Sequence, residues 1–290
     1  MSELLRNACT FLFVPAHQPE RLHKALASAA DMVIADWEDA VAPGDKAAAR
    51  SALEAAVAGL DSAQRARLLV RTNAAETAWH ADDVQCAARL VQAGIAGVVV
   101  AKAEQVATLQ HIAAVAGPQC ALVPLLETVA GMDAMDALAR APQVVRIAFG
   151  HLDFQVDAGV QCAADEMELL PTRMALVMAA RRAQLAAPID GVTVDTRDAG
   201  RIEGDARRAQ RMGFGGKLCI HPAQVALVNS VFTPTPAEVA HAQAVEQAIA
   251  AAQGGVCVVN GKMVDAPVLL LAQRTLRRHA WAQQRAAQPA

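Results

Sequence analysis

The chain has 290 residues, of which 54% are hydrophobic and 19% are charged, and its formal net charge at pH 7 is −3. At roughly 100–200 residues per domain, this length allows one large domain or two small ones. High hydrophobicity with a low net charge excludes intrinsic disorder, which needs the opposite combination. The lack of a basic excess argues against a broad nucleic-acid-binding surface.

Six cysteines are spread along the chain without a C-x-x-C pair, so the spacing of a zinc site is absent. This scatter is typical of reduced thiols, and we expect a cytoplasmic protein. Residues 1–7 (MSELLRN) lack the apolar core of a secretory signal. No apolar run approaches the roughly 18 residues that span a bilayer, so we expect no membrane partner.

Short apolar runs alternate with helical patterns along most of the chain. The runs cover residues 10–15, 31–36, 67–72, 97–101, 121–126, 144–149, 189–194 and 216–220. Helical patterns lie between them, for instance over 19–30, 46–60, 81–92, 105–115, 172–185 and 201–212. This alternation is typical of βαβ units in a parallel sheet, because parallel strands need crossover connections that helices provide.

Eight such units within about 230 residues match an α/β fold of the (β/α)₈ TIM barrel type. A doubly wound open sheet is the alternative, but it usually carries a glycine-rich phosphate loop after its first strand. Here the first run ends in the segment PAHQP at 15–19, which contains no glycine. We therefore predict a barrel catalytic domain over residues 8–233.

The chain after residue 233 departs from this pattern. An alanine-rich helix is predicted over 236–252, a hairpin over 254–265 with its turn at Asn260 and Gly261, and a final helix over 266–280. We predict that residues 234–290 form a C-terminal appendage of helix, hairpin and helix. It would act as a lid or as an arm that packs on a neighbouring subunit.

Polar side chains stand at the carboxyl ends of the apolar runs. In a parallel barrel these ends meet at one rim, which holds the active site. The residues are Asp36, Glu38, Asp39, Arg71, Asn73, Lys102, Glu104, Glu127, His151, Asp153, Asp195 and His221. Seven of the eight runs end in this way, which predicts a charged active site at the rim.

Glu127 and Asp153 follow adjacent predicted strands, so their carboxylates can converge. Two carboxylates with open positions for water and substrate oxygens suit Mg²⁺ or Mn²⁺. The alternative is that each carboxylate caps a helix or pairs with an arginine. Arg71 could clamp a carboxylate or stabilise an enolate oxygen, or form an ion pair with the acidic cluster after the second run. These two roles of Arg71 are compatible.

Other polar residues invite simpler interpretations. His151 is more often a hydrogen-bonding or solvent-facing residue than a metal ligand at such a position. His221 is interpreted as part of the rim, with substrate contact as the alternative. The arginine pairs at 181–182 and 207–208 are expected on solvated helix faces.

Several motifs resemble those of the citrate lyase β-subunit-like proteins, which belong to the HpcH/HpaI aldolase and citrate lyase family. The segments are FLFVP at 11–15, DWEDAV at 36–41, VRTN at 70–73, LET at 126–128 with Gly131, FGHLDF at 149–154 and GKLCIHP at 216–222. They occur in the family's order between about residues 10 and 233. The resemblance is specific for the family and less so for the substrate.

The resemblance implies a Mg²⁺-dependent barrel that makes or breaks a carbon–carbon bond beside a carbonyl. The usual substrates of the family are thioesters of hydroxy di- and tricarboxylic acids on coenzyme A or an acyl-carrier protein. The metal ligands carry over to Glu127 and Asp153, and the substrate-binding arginine to Arg71. Glu127 thereby also belongs to the substrate site.

The tail carries a further match. The segment NGKMVDAP at 260–267 resembles part of the malyl-CoA and citramalyl-CoA lyases. In those relatives its aspartate reaches the active site of a neighbouring subunit in a trimer. The resemblance therefore implies a homo-oligomer, a trimer or a hexamer, with Asp265 as a candidate acid and base.

Two positions depart from the family's pattern near the first strand. Cys9 occupies the usual arginine position, and Ala16, His17 and Gln18 replace a glycine and the charged residues after it. In relatives this region lies near the coenzyme A phosphates, so a small free acid or another carrier is an open alternative.

These observations predict a retro-aldol or retro-Claisen lyase acting on a β-hydroxy acyl-CoA, such as malyl-CoA, citramalyl-CoA or a citryl thioester, or on a related hydroxy acid. A magnesium ion on Glu127 and Asp153 would hold the substrate's hydroxyl and carboxylate. Arg71 would stabilise the enolate and Asp265 would protonate its carbon. Glu38 and Asp39, with Asp36, would orient Arg71 and metal-bound water. A malyl-CoA-type thioesterase and a non-catalytic metabolite-binding protein remain as alternatives.

Overall fold

The eight apolar runs form a closed barrel of eight parallel strands, which confirms the predicted fold class. In the computed structural model, which describes residues 3–287, the first strand pairs with both the second and the eighth. This closure excludes the open sheet. The strands are β1 Thr10–Pro15, β2 Met32–Asp36, β3 Leu68–Thr72, β4 Gly97–Val100, β5 Ala121–Leu126, β6 Ala148–Phe149, β7 Ile189–Asp190 and β8 Gly216–Cys219.

Helices connect successive strands, as parallel strand pairing requires, while α1 precedes the first strand and α12 follows the last. They are α1 Glu3–Asn7, α2 Pro19–Leu26, α3 Lys46–Ala58, α4 Ser62–Ala66, α5 His80–Gln92, α6 Val106–Ala116, α7 Val129–Asp133, α8 Met135–Ala139, α9 His151–Ala158, α10 Leu170–Arg182, α11 Ala199–Met212 and α12 Pro222–Phe232.

The core of the barrel is built from apolar side chains of almost every strand. Most strand residues are fully buried, because strands of a parallel barrel are covered on both faces. The side chains of Phe11, Ile34, Leu69, Val99 and Val123 belong to one contiguous buried cluster. The polar residues that end these strands are therefore carried to the rim by a rigid frame.

Strands β6 and β7 are shorter than the apolar runs that predict them. The run over 144–149 contributes only two paired residues, and Val144 makes a single bridge to Leu122. Within this run, Arg146 is fully buried and donates hydrogen bonds to the carbonyl oxygens of Ala8 at 2.6 Å and Ala187 at 2.7 Å. Arg146 thus joins the segments that precede β1 and β7 through their carbonyl oxygens.

Residues from Ser230 onward form a second compact unit, and α12 runs across its boundary with the first. The unit contains helix α13 Pro236–Ala251, strands β9 Cys257–Val259 and β10 Lys262–Val264, and helix α14 Ala266–Ala287. Thr235 and Glu238 form a capping box at the start of α13. The two strands are antiparallel and turn at Asn260 and Gly261, whose φ angles of 50° and 75° suit a type I′ turn.

The described helices include none that is long and apolar enough to cross a bilayer. All six cysteines are free thiols, and Cys9, Cys86, Cys120 and Cys219 are buried.

Candidate active site

A cavity of about 400 Å³ opens at the carboxyl ends of the barrel strands. Its wall mixes charged and apolar side chains. The charged ones are Arg21 of α2, Asp36 and Arg71 at the ends of β2 and β3, and Asp39, Glu127 and Asp153 in the segments after β2, β5 and β6. The large apolar ones are Phe13, Val14, Pro15, Leu125, Phe149, Leu152, Val192, Leu218 and Ile220, and the last three come from β8 and from the segments after β7 and β8.

Arg71 is held by three carboxylates of the segment that follows β2. Its Nε and Nη2 donate to the two carboxylate oxygens of Asp36, each at 2.7 Å, and Nη2 also donates to Asp39 at 3.3 Å. Its Nη1 lies 2.7 Å from Glu38 Oε2 in an ion pair. Burial disfavours the charge, but the carboxylates outweigh it and raise the pKa of Arg71 further above its usual range. The guanidinium is thus permanently charged and fixed in place.

The segment after β2 is organised around the side chain of Asp36. This carboxylate accepts hydrogen bonds from the backbone amides of Glu38 at 2.9 Å and Ala40 at 3.0 Å. Burial opposes ionisation, but Arg71 and these amides lower the pKa of Asp36. The ionised carboxylate therefore orders the turn and orients the arginine at the same time.

Lys102, which follows β4, contacts acidic side chains from three segments of the site. Its φ of 44° is left-handed, and its backbone amide donates to Glu127 Oε1 at 2.8 Å. Its Nζ donates to Glu38 Oε1 at 3.1 Å and lies 3.9 Å from Asp153 Oδ1. The sequence marks Lys102 as a residue at a strand end but gives no signal of this bridging role, which depends on backbone conformation.

Glu127 is almost completely buried and lies against the backbone of Gly150. A Cβ atom at Gly150 would lie only 2.3 Å from Glu127 Oε2, so the glycine makes room for the carboxylate. Burial, followed by the nearby charge of Glu38, raises the pKa of Glu127 to about 8. A cation beside this carboxylate would hold it ionised at neutral pH.

Glu127 and Asp153 line the same cavity, and their donor set fits a magnesium ion. The Asp153 side chain is 44% exposed, whereas Glu127 faces the cavity from a buried position. Within residues 3–287 no group of three or more acidic, histidine or cysteine side chains forms a ready metal cage. Two carboxylates with the remaining positions left to oxygen ligands are what Mg²⁺ commonly takes. The residues present therefore fit the ion that the sequence implies.

The two rim histidines are placed differently. His151 is buried, its Nε2 lies 3.7 Å from Glu166 Oε1, and burial lowers its pKa to about 4, so the imidazole is neutral at physiological pH. His221 is exposed, and its Nδ1 accepts a hydrogen bond from the amide of Ala223 at 3.1 Å. The interpretation of His221 as rim structure agrees with this contact.

A buried charge network around Glu166 corrects one expectation from the sequence. Arg207 is 60% exposed as expected, but the side chain of Arg208 is only 14% exposed. Arg208 pairs with Glu166 at 2.8 Å and with Asp205 at 3.2 Å. Arg173 also contacts Glu166. The expectation of a solvated face at Arg208 is wrong, because carboxylates from two segments surround it.

Asp265 belongs to the second unit, where it begins α14. Its Oδ1 accepts a hydrogen bond from the amide of Val268 at 3.3 Å, and its carbonyl oxygen accepts one from Leu269. The side chain is partly exposed. It therefore caps a helix, and that contact leaves its second carboxylate oxygen available.

Comparisons with known proteins agree with this site. The sequence profile of the HpcH/HpaI aldolase/citrate lyase family matches residues 10–222. A citrate lyase subunit beta-like protein from Deinococcus radiodurans is 36% identical over 286 residues, which cover 95% of this chain and 97% of the relative. A (3S)-malyl-CoA thioesterase from Cereibacter sphaeroides is 32% identical and is matched over 92% of this chain and 93% of its own length.

A solved structure is similar to this chain in both fold and sequence. The crystal structure of the protein CitE from Mycobacterium tuberculosis, in complex with magnesium, acetoacetate and coenzyme A, superposes with a TM-score of 0.81 at 33% identity. The match covers 95% of this chain and 99% of that chain.

A closed (β/α)₈ barrel with a charged cavity at its carboxyl rim defines an enzyme of the TIM-barrel class. The sequence profile and the relatives then identify the family: the chain belongs to the HpcH/HpaI aldolase/citrate lyase family. It is an enzyme of the carbon–carbon lyase type. The family resemblance in the sequence motifs is thereby confirmed.

Proposed function

We propose that this protein is a Mg²⁺-dependent lyase that cleaves a β-hydroxy acyl-CoA, or a related hydroxy acid, by a retro-aldol or retro-Claisen reaction. Malyl-CoA, citramalyl-CoA and citryl thioesters are the substrates we favour. One observation carries the proposal: Glu127, Asp153 and Arg71 line a single cavity. Mn²⁺ has the same ligand preference and would serve as an alternative ion.

Glu127 and Asp153 would hold the metal, which supplies Lewis-acid polarisation of the substrate oxygens when it is bound. Arg71 lines the cavity, so the edge of its guanidinium that faces the cavity can meet a substrate oxygen while Asp36, Glu38 and Asp39 hold it in place. As the carbon–carbon bond breaks, negative charge develops on the enolate oxygen, and a prepositioned guanidinium stabilises it. Glu38 and Asp39 act on the reaction by holding that guanidinium.

Asp265 is the group we propose for protonating the enolate carbon, and for removing that proton in the condensation direction. We propose that it acts in the active site of a neighbouring subunit of a homotrimer or a hexamer. The hairpin and helix around it support this idea. Within the second unit, five large apolar side chains are more than half exposed, which is typical of an interaction surface: Val256, Val258, Met263, Leu270 and Leu271.

We propose that Arg21 contacts the carrier of the acyl group. This residue of α2 is exposed and lines the cavity, so it offers a cation to an anionic carrier or to a second carboxylate. It stands close to the segment in which Ala16, His17 and Gln18 depart from the family pattern. Cys9, the other departure, is buried, and its backbone amide donates to Asp31 at 2.6 Å.

The cellular location we propose is the cytoplasm. The six free cysteines suit a reducing compartment. Nucleic acid and membrane partners are not part of the proposal, since the net charge is −3.

A product assay tests the proposal. The purified protein with Mg²⁺ is incubated with malyl-CoA, citramalyl-CoA, citryl-CoA and the corresponding free acids. A lyase gives an oxo acid or aldehyde together with an acyl-CoA or a free acid, and chelation of the metal stops the reaction. The absence of any cleaved product from all of these substrates would refute the proposal.

The thioesterase is the second candidate, because a (3S)-malyl-CoA thioesterase matches nearly the whole chain. The same assay separates the two activities, since a thioesterase releases free coenzyme A and the intact hydroxy acid. A non-catalytic metabolite-binding protein would instead bind these ligands without turnover. Membership in a family of enzymes favours catalysis over that third reading.

A further inference from the structure

Lys46 places a buried ammonium beneath the segment that carries the acidic residues of the site. The residue is 5% exposed and begins α3. Its Nζ donates to the carbonyl oxygens of Trp37 and Glu38, each at 2.7 Å, and lies 5.1 Å from the centre of the Trp79 ring. A buried ammonium is costly unless it is hydrogen-bonded, so these contacts hold the two carbonyls in one position.

The carboxylate of Glu38 depends on that backbone position. Its Oε1 accepts from Lys102 Nζ at 3.1 Å, and its Oε2 lies 2.7 Å from Arg71 Nη1. Oε2 is buried and accepts no hydrogen bond of good geometry from the described residues. A small shift of the backbone at Glu38 would therefore move the anion that stands between two cations of the site.

The next turn of α3 makes a parallel contact to the neighbouring segment. Arg50 Nη1 donates to Asp83 Oδ1 at 2.8 Å. The other oxygen of Asp83 accepts from the backbone amide of Asn73 at 2.8 Å and from its side chain at 2.7 Å. Lys46 and Arg50 are four residues apart and so lie on one face of the helix. One helix face thus supports the segments after both β2 and β3.

We propose that Lys46 is a positioning residue of this site, acting through the backbone of Glu38 to fix Arg71 and Lys102. It does not line the cavity and takes no part in bond making. The inference deepens the proposed function, and its catalytic consequence rests on that function. Its structural consequence is independent of which reaction the site performs.

The first experiment is a double-mutant cycle between Lys46 and Glu38. Lys46→Met removes the ammonium and keeps a long apolar side chain, and we expect kcat to fall about 10- to 10²-fold, because small misplacements of catalytic groups cost this much. In the Glu38→Gln background, the same substitution should lower kcat less than about twofold, because residues that act through one contact do not add. Equal losses in both backgrounds would overturn the proposal.

A control comes from α5, where Arg89 makes an exposed ion pair to the helix that carries Lys46. Arg89 Nε pairs with Glu54 of α3 at 2.6 Å, and the arginine side chain is 58% exposed. Arg89→Met removes a cation that contacts α3 away from the site, and kcat should stay within about twofold of wild type. If Lys46→Met does not give folded protein, Lys46→Gln, which keeps a donor, enters the same cycle.

The second experiment measures amide hydrogen exchange and needs no activity. The amides of Glu38, Ala40 and Val41 are hydrogen-bonded within the segment after β2. Lys46→Met should raise their exchange at least about tenfold, whereas Arg89→Met should leave it unchanged. Unchanged exchange in Lys46→Met would refute the positioning role even if a lyase activity is found. Raised exchange without any lyase activity would support it and refute the proposed function alone.

Discussion

Arg71 and Glu127 show two opposite ways in which this site treats a buried charge. Arg71 is surrounded by three carboxylates, so its charge is more than balanced before any ligand binds. Glu127 accepts one backbone hydrogen bond and lies where burial raises its pKa to about 8. An incoming cation would therefore stabilise the ionised form of Glu127 more than that of the carboxylates around Arg71, which already face a cation.

We expect Glu127→Gln to lower Mg²⁺-dependent turnover by at least about 10²-fold, because the amide loses the negative charge that holds the ion. Turnover and magnesium affinity are measured together with thermal unfolding. Glu54→Gln, a surface substitution at a partly exposed ion pair, serves as the control. Wild-type turnover with unchanged magnesium affinity in Glu127→Gln would contradict the metal assignment.

Gly150→Ala tests the same carboxylate through its neighbour. The φ of Gly150 is −91°, which alanine adopts without strain, but the new Cβ would meet Glu127 Oε2 at 2.3 Å. Because the new Cβ would also meet the Cβ of Glu127, the whole Glu127 side chain must shift, and we expect magnesium affinity to fall by about 10-fold or more while the barrel stays folded.

The control is Gly204→Ala in α11, where no atom lies within 4 Å of the added Cβ. This variant should keep full affinity and gain about 0.5–1 kcal/mol in unfolding free energy, because alanine favours a helix. Calorimetric titration with Mg²⁺ and urea unfolding give both numbers. Unaltered affinity in Gly150→Ala would show that Glu127 does not hold the ion in this position.

At the scale of elements, the apolar runs predict which segments become strands but not where hydrogen bonding stops. Strand β5 has the predicted bounds, because its first four residues pair with β4 and its last two pair with β6. Strand β7 ends at Asp190, and the next carbonyl, at Gly191, accepts from Lys217 Nζ at 2.6 Å. Such a side-chain contact ends a ladder without leaving a pattern in the local sequence.

The sequence also gives no signal that the charges of Lys46 and Arg173 are buried. Strand-end positions are read from the sequence, so Arg71, Glu127 and Asp153 could be singled out as one set. Lys46 and Arg173 lie within helical patterns, where a charged residue usually faces solvent. Only the tertiary contacts show that their charges are buried.

Asp190 contacts two buried cations, and we expect Asp190→Asn to lower the unfolding free energy at pH 7 by about 3 kcal/mol, because Lys217 loses its carboxylate and Arg173 keeps only Glu166. The carboxylate accepts from Arg173 Nε at 3.0 Å and lies 3.8 Å from Lys217 Nζ. Asp136→Asn, at an exposed pair with Arg182, should cost under about 1 kcal/mol. Equal stability of Asp190→Asn and wild type in urea would contradict this account.

The same variant changes the acid dependence of stability. Burial raises the pKa of Asp190, but Lys217 and Arg173 outweigh it, so the folded-state pKa lies below the usual value. A carboxyl with a lowered pKa contributes stability that is present above the unfolded pKa of about 3.9 and is lost as the pH falls through the folded pKa. Unfolding free energies below about pH 4 should therefore fall less steeply in Asp190→Asn than in wild type.

At the scale of the whole molecule, the second unit exposes an apolar hairpin whose last strand leads directly to Asp265. If Asp265 completes the site of a neighbour, Asp265→Ala and Arg71→Ala should each be inactive alone. An equal mixture, unfolded and refolded together, should regain up to about a quarter of wild-type activity, because each site needs one intact residue from each of two subunits. No recovery in mixtures that sedimentation shows to be oligomeric would argue against shared sites.

The apolar part of the cavity wall limits the size of the substrates that the site can accept. The residues that line the cavity from β8 and from the segments after β7 and β8 are apolar, whereas Arg71, Glu127 and Asp153 come from β3 and from the segments after β5 and β6. Exchanges at Val192, Leu218 or Ile220 would reshape the room for an alkyl branch without disturbing the ion, the guanidinium or their supports. Directed evolution toward bulkier acids should therefore accumulate substitutions at these three positions and leave the charged residues unchanged.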